Sequence, residues 1–224
     1  QNETFPLESM RRDRVPSPNT KWHSYVVFGQ QRADIVLMVI DSQIGPTDQD
    51  TRLLNLAISR YKPTIIILNK WDLINNKSHN TIVEYQKYIA KHIIGDLSFV
   101  PVVPISCLEN KRLPQVMKTV EMIRSQVDKR ATTAKLNEAI KTIVEAHSPR
   151  IIKSISRRTK FYYATQISKK PTTIIIKCNV ASALETSYKR FMLRQLRKAL
   201  GFENIPLKIE YQDKKSEEKL DKIC

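Results

Sequence analysis

Three short runs of consecutive apolar residues, at 35–40, 65–68 and 100–105, constrain this chain more than anything else in it. None approaches the ~18–20 residues of a membrane span. None alternates polar with apolar, so all three read as apolar strands, the second of them as fully buried. Stretches of helical length lie between and after them, at 48–60, 80–94 and 113–127. In the last, Leu113, Val116, Met117, Val120 and Ile123 recur at the spacing of one helix face. Strand–helix alternation of this kind makes an α/β unit, a parallel sheet with right-handed crossovers and flanking helices.

The second run leads straight into Asn69-Lys70-Trp71-Asp72. Polar residues spaced N-K-x-D at such a strand's carboxyl end face the crevice where open α/β sheets bind ligands, and their chemistry selects guanine. An ionised Asp72 only accepts, so it can take the ring N1–H and the exocyclic amine of guanine as a charge-assisted pair. Asn69 can donate to an acceptor on the other base edge, and the Lys70 stem can lie on the base face. Adenine offers Asp72 neither donor, and a site left with unpaired polar groups rejects a substrate by roughly 10⁴–10⁵. At the end of the third run, Ser106-Cys107-Leu108 can present backbone N–H groups to the base carbonyl. Taken alone, N-K-x-D suits a strand ending in a polar turn equally well; with the buried strand before it and the second turn after it, guanine is the better reading.

Phosphate handling is another matter. A nucleotide triphosphatase holds phosphates and magnesium with a glycine-rich turn bearing Lys and Ser/Thr. This chain has four glycines, no Gly-Lys pair and no Asp-x-x-Gly. Hydrolysis by these residues alone is therefore not expected, and no catalytic or metal-ligating residue is assigned. No Ser/His/Asp, Cys/His or paired-carboxylate constellation offers another enzymatic chemistry. Cys107, Cys178 and Cys224 are odd in number and far apart, which fits a reducing compartment better than a disulfide framework or a zinc site. The start, Gln1-Asn2-Glu3-Thr4-Phe5-Pro6, lacks a basic-then-apolar leader and an initiating Met. A cytoplasmic location away from membranes is expected, for a fragment or a processed chain.

The net charge of +16 is unevenly spread: residues 1–130 carry 18 Lys and Arg against 13 acids, residues 131–224 carry 20 against 9. A basic second half implies a polyanionic partner, most simply RNA; a solvated basic surface is the plainer alternative. That half opens with a helix that Thr132 or Thr133 can cap, carrying Leu136, Ile140, Ile143, Val144 and His147 on one face and stopped by Ser148-Pro149. His147 reads as a helix cap or core-edge residue. A basic connector follows, with Arg150, Lys153, Arg157, Arg158 and Lys160. Strands at 161–167 and 172–178, a helix at 184–200 closed by Gly201, and a strand at 207–211 complete an α-β-β-α-β order. On the last helix, 100° per residue gathers Arg190, Arg194, Arg197 and Lys198 into a basic stripe, opposite Leu184, Tyr188, Met192, Leu196 and Ala199. Stripe and connector are the candidate RNA contacts.

Taken together these residues resemble the EngA/Der family, bacterial GTPases with two tandem G domains and a C-terminal KH-like domain that act in large-ribosomal-subunit assembly. The likeness rests on residues 32–41, on Gly45-Pro46-Thr47-Asp48-Gln49-Asp50, on Asn69-Lys70-Trp71-Asp72-Leu73, and on Ser106-Cys107-Leu108 where the family usually has Ser-Ala-Leu. It continues through Leu136-Asn137, Tyr162-Tyr163-Ala164-Thr165-Gln166, Pro171-Thr172, Ser187-Tyr188-Lys189-Arg190 and Gly201-Phe202-Glu203. The resemblance implies an irregular basic segment at 1–31, the guanine-specificity half of a P-loop-GTPase-type sheet at 32–130, a KH-like α+β domain at 131–212 and a charged, disordered tail at 213–224. It implies GTP or GDP as ligand, Mg²⁺ only in a complete chain, and ribosomal RNA of the large subunit as partner. The first G domain and the second domain's phosphate loop are missing, with Ser9-Met10-Arg11-Arg12 only faintly like the residues after the family's Asp-x-x-Gly. The strand at 35–40 should then present an open apolar edge. A non-enzymatic RNA-binding module descended from such a GTPase is the alternative. No Gly-x-x-Gly follows residue 130, so backbone contact with folded RNA is expected rather than a single-strand clamp.

Overall fold

A computed structural model of the chain describes residues 32–75, 81–92, 97–152 and 157–214. The expected irregular N-terminal segment with Ser9-Met10-Arg11-Arg12, the connector residue Lys153 and the tail from 215 lie outside them. The chain divides into two compact units, Gln1–Arg124 and Ser125–Cys224.

The first unit is built on a three-stranded parallel sheet in the order β1 (Val36–Asp41), β2 (Thr64–Asn69), β3 (Val102–Pro104). β2 is central, and its residues 64–68 are all buried, as a run of Ile and Leu between two neighbours requires. β1 lies at an edge of the described sheet. Val36, Met38 and Ile40 are buried, whereas Leu37 and Val39 are 47% and 56% exposed. Only one face of that strand is therefore covered by the described residues.

Helix α1 (Asp48–Ser59) starts at a capping box. Thr47 Oγ1 accepts from the Asp50 N–H and Asp50 Oδ2 accepts from the Thr47 N–H, satisfying two donors that helix geometry orphans. Leu53, Leu54 and Ala57 turn inward onto β1 and β2. Helix α2 (Thr81–His92) adds Tyr85 and Ile89 to the same core, where Trp71 meets the Tyr85 ring edge-on at 5.3 Å. Helix α3 (Leu113–Asp128) buries Val116 and Ile123 of its expected face, but Met117 is 60% exposed and Thr119 is buried in addition. Thr119 tolerates burial because its hydroxyl donates to the Gln115 carbonyl, 2.8 Å away.

In the second unit, helix α4 (Thr133–Ala146) is capped by Thr132 and ends at His147, which caps it from an exposed position. The expected connector contains a two-residue antiparallel ribbon, β4 (Ile151–Ile152) with β5 (Arg157–Arg158), too short to leave any periodicity in the sequence. β6 (Phe161–Lys169) pairs antiparallel with β7 (Thr172–Cys178), which pairs parallel with β8 (Lys208–Asp213). The central strand puts Ile174, Ile176 and Cys178 wholly out of solvent. Burial and the nearby Asp213 push the Cys178 thiol up to about 11, in keeping with a core residue. β8 runs two residues past its expected end, and the Asp213 carboxylate accepts from the Ala181 N–H.

Helix α5 (Thr186–Leu200) buries Tyr188, Met192, Leu196 and Leu200, joined by Arg197, while Ala199 is exposed, contrary to the helical-wheel reading. The helix ends at Gly201 in the left-handed conformation (φ 68°, ψ 41°). Lys129 Nζ donates to the Leu200 carbonyl at 2.7 Å, and Gln126 and Asn204 exchange two hydrogen bonds, at 2.9 and 3.2 Å. A Cβ at Gly201 would stand 2.7 Å from Lys129 Nζ. Gly201→Ala should cost about 1–2 kcal/mol, from the left-handed backbone and the displaced ammonium together. Denaturant midpoints of the two proteins measure it.

Candidate functional site

The sheet's polar chemistry begins where β2 stops being buried. Ile105 N–H donates to the Leu68 carbonyl at 2.8 Å, Trp71 N–H to the Ile105 carbonyl at 3.0 Å, and Ser42 N–H to the Asn69 carbonyl at 2.9 Å. The end of β2 is thus tied to the segments following β1 and β3. Lys70 takes a left-handed conformation (φ 60°, ψ 32°), an uncommon state for a residue with a side chain. It turns the chain sharply enough for Trp71 to be buried and for residues Trp71–Leu73 to form one 3₁₀ turn.

This geometry brings the two sequence-predicted turns together. Asn69 Oδ1 accepts from the Cys107 N–H at 3.2 Å, across 38 residues of chain. With its oxygen so used, the Asn69 amide keeps its two N–H donors for the other side, the orientation a purine acceptor needs. Asp72 stands half-buried in the 3₁₀ turn. Lys70 Nζ is 2.7 Å from Asp41 Oδ2, whose other oxygen accepts from the Gln43 N–H. The ion pair is half-exposed, so it orients the Lys70 stem more than it stabilises the fold. Tyr85 braces the same strand end by donating to the Ser42 carbonyl. Burial first, and the Asp41 charge second, hold its phenol at about 12, so it remains a donor throughout the neutral range.

The Ser106 turn is used differently from expectation. Ser106 is buried, its N–H and carbonyl pair with Lys111 at 3.2 and 3.0 Å, and its hydroxyl accepts from the Glu109 N–H. Ser106 therefore shapes the turn and has no amide left for a base carbonyl. The Cys107 N–H is likewise spent, on Asn69 Oδ1, although Cys107 itself is exposed, and Leu108 is 87% exposed. Asn69, Lys70, Asp72, Cys107 and Leu108 are the candidates for contact with a base. Among the described residues, no group of three or more His, Cys, Asp and Glu can hold a metal ion.

In the second unit, Arg158, Lys160, Arg190, Arg194 and Lys198 are exposed, as is Arg150, which lies 3.5 Å from Glu185. Arg197 is a correction. Only 5% exposed, between Leu196 and Leu200 on the edge of the inward face of α5, it cannot join a surface stripe. The backbone of Arg157 lies in β5, and Lys153 falls outside the described residues.

Residues 130–212 match the family model described as the KH-domain-like region of EngA bacterial GTPase enzymes, C-terminal. Residues 19–147, more than half of the chain, match the elongation factor Tu GTP-binding domain. The chain belongs to the EngA/Der family of GTPases. Similar proteins include the GTPase Der of Syntrophotalea carbinolica, 31% identical over 188 residues (84% of this chain, 42% of that protein). That of Caldanaerobacter subterraneus subsp. tengcongensis is 37% identical over 179 residues (80% and 40%), and that of Alkaliphilus metalliredigens 35% over 207 residues (92% and 46%). The chain thus spans less than half the length of the curated relatives it matches. Among solved structures, the cytosolic domain of the T. maritima FeoB iron transporter in apo form aligns at 20% identity and TM-score 0.33, covering 58% of this chain and 47% of that one, too loosely to carry an argument. The architecture is that of an EngA/Der chain: a P-loop-GTPase-like parallel sheet with helices, then a KH-like mixed sheet with helices. No helix of the described residues is long and apolar enough to cross a membrane.

If the Asn69 side chain is what holds the second turn, Asn69→Ala should loosen it without unfolding the sheet. Amide exchange at Cys107 should quicken about 3- to 10-fold, the loss of one ordinary hydrogen bond, while the amides of β2 keep their protection.

Proposed function

We propose that this chain supplies guanine recognition and RNA docking to an EngA/Der-type GTPase that acts in the cytoplasm on assembly of the large ribosomal subunit. GTP and GDP are its ligands, Mg²⁺ enters only together with phosphate-binding elements, and large-subunit ribosomal RNA is its partner. The bond from the Cys107 N–H to Asn69 Oδ1 supports the reading, because it joins the turn after β2 to the turn after β3 at the carboxyl end of a buried strand. Asp72 then grips the N1–H and exocyclic amine, and the Asn69 amide donates to the opposite edge. The described residues serve recognition of the base; chemistry at the γ-phosphate requires groups outside them.

Base recognition is tested in a longer form of the protein that includes a phosphate loop. There Asp72→Asn should weaken GTP by about 100-fold or more and strengthen xanthosine triphosphate, because Asn accepts from N1–H while donating to the 2-oxo group. A competition assay in which GTP preference is unchanged removes Asp72 from the site.

The RNA reading draws on the exposed cations of α5 and on the basic balance of the second unit. Replacing Arg190, Arg194 and Lys198 together by Gln should reduce the slope of log K against log salt by about 2–3 for a ribosomal RNA fragment. Arg197→Gln should instead lower stability with little effect on that slope, since its side chain is buried.

A further inference from the structure

We infer that, in addition to the backbone contact with folded RNA expected from the sequence, a groove between α4 and the beginning of β6 binds unpaired nucleotides of a single-stranded RNA segment, whose bases stack on Tyr162 and Tyr163. The inference rests on the RNA reading above and gives it a site separate from the α5 cations. The groove is a cavity of about 620 Å³. The buried Ile140 and half-buried Val144 lie on its α4 side, and the consecutive aromatics Phe161, Tyr162 and Tyr163 on the other.

Three neighbouring side chains on one cavity wall are not what a strand provides, since successive residues point to opposite faces. The pairing of β6 with β7 slips between Phe161 and Tyr163, where Phe161 faces Cys178 and Tyr163 already faces Lys177. The bulge re-aims the chain at that point, and all three residues line the cavity, the Phe161 ring also stacking on Tyr188 with centroids 6.3 Å apart. Tyr162 is 42% and Tyr163 39% exposed, which is much open ring surface for strand residues.

Cations surround the rings. Lys160 Nζ and Lys214 Nζ lie over the Tyr162 ring at 6.0 and 4.9 Å, and Lys141 and Arg158 also line the cavity. Its one acid, Glu145, lies 4.0 Å from Lys141. Aromatic faces flanked by ammonium groups meet the two needs of an unpaired nucleotide, a surface for its base and charge for its phosphates. A paired base has no free face to offer, so the groove discriminates against duplex.

Both walls are fixed in advance. Asn137 Oδ1 accepts from the Ala164 N–H at 2.8 Å, joining α4 to β6 just after the bulge. Asn179 makes three bonds to the cationic segment: its Oδ1 accepts from the Lys160 N–H at 2.8 Å, its N–H donates to the Lys160 carbonyl at 3.1 Å, and its Nδ2 donates to the Arg158 carbonyl at 3.3 Å. Little ordering remains to be done on binding.

The test uses the whole 224-residue chain with two fluorescent RNAs, a ten-nucleotide oligouridine and a hairpin duplex of equal charge. Wild type should prefer the oligouridine. Tyr162→Ala should weaken it about 5- to 100-fold with an unchanged salt slope, leave the duplex unaffected, and be rescued by Tyr162→Phe, which keeps the stacking face. Independently of any variant's folding, light-induced cross-linking of a 5-iodouridine oligonucleotide to wild type should label the peptide holding Tyr162 and Tyr163. Unchanged oligouridine affinity in Tyr162→Ala, or cross-links confined to other peptides, overturns the groove; if the α5 cation variant still loses RNA, docking through that helix stands without it. Failure of wild type to bind either RNA overturns both.

Discussion

Everything at the candidate base site follows from the burial of β2 on both faces. A strand with neighbours on each side and helices above and below can carry polar side chains only where it leaves the sheet. In this chain that point is Asn69, and the next residue, Lys70, takes a left-handed turn at once. The Trp71 that follows is drawn back into the core against Tyr85, so the short 3₁₀ turn bearing Asp72 is anchored from below. The polar half of N-K-x-D is therefore held by its apolar member. The side chain of Asn69 is asked to bridge to the Cys107 backbone, and its remaining hydrogen-bonding capacity is set by that duty.

The second unit solves another problem with the same means. Its sheet is largely apolar while the unit carries much positive charge, and most of that charge, the buried Lys177 and Arg197 aside, stays at the surface. β7 takes the buried load, with Ile174, Ile176 and Cys178 fully covered, and the exposed cations concentrate on α5 and on the segment entering β6. One polar residue that enters the interior arrives with two partners. Gln166, 3% exposed, accepts from the Ala131 N–H and donates to the Ser168 carbonyl, tying the start of the unit to its first long strand.

The strands and helices of the first unit were legible to within a few residues because apolar runs and helical spacing leave few alternatives. The capping box of Thr47 and Asp50 that starts α1 was not read ahead, although the helix itself was. The errors share a cause. A helical wheel assigns faces by angle, but a helix end or a flank obeys its neighbours. Ala199 emerges into solvent, Arg197 is covered beside Leu200, and Met117 yields its inward place to Thr119, whose hydroxyl is satisfied within the helix. Register slips and two-residue ribbons leave no pattern at all, so neither the β4–β5 pair nor the bulge beside Tyr162 could be read ahead. The separate partners of the Ser106 and Cys107 amides, Lys111 and Asn69, were likewise hidden, since neither bond leaves a mark in the letters.

The reciprocal bonds between Gln126 and Asn204 have a consequence for how the second unit responds to its surroundings. Two neutral amides that satisfy each other change neither with acidity nor with ionic strength across any ordinary buffer. The turn after α5 is thus anchored by a contact indifferent to the counterions that govern every cation nearby. Changes in magnesium or potassium therefore leave this pair of bonds as it was.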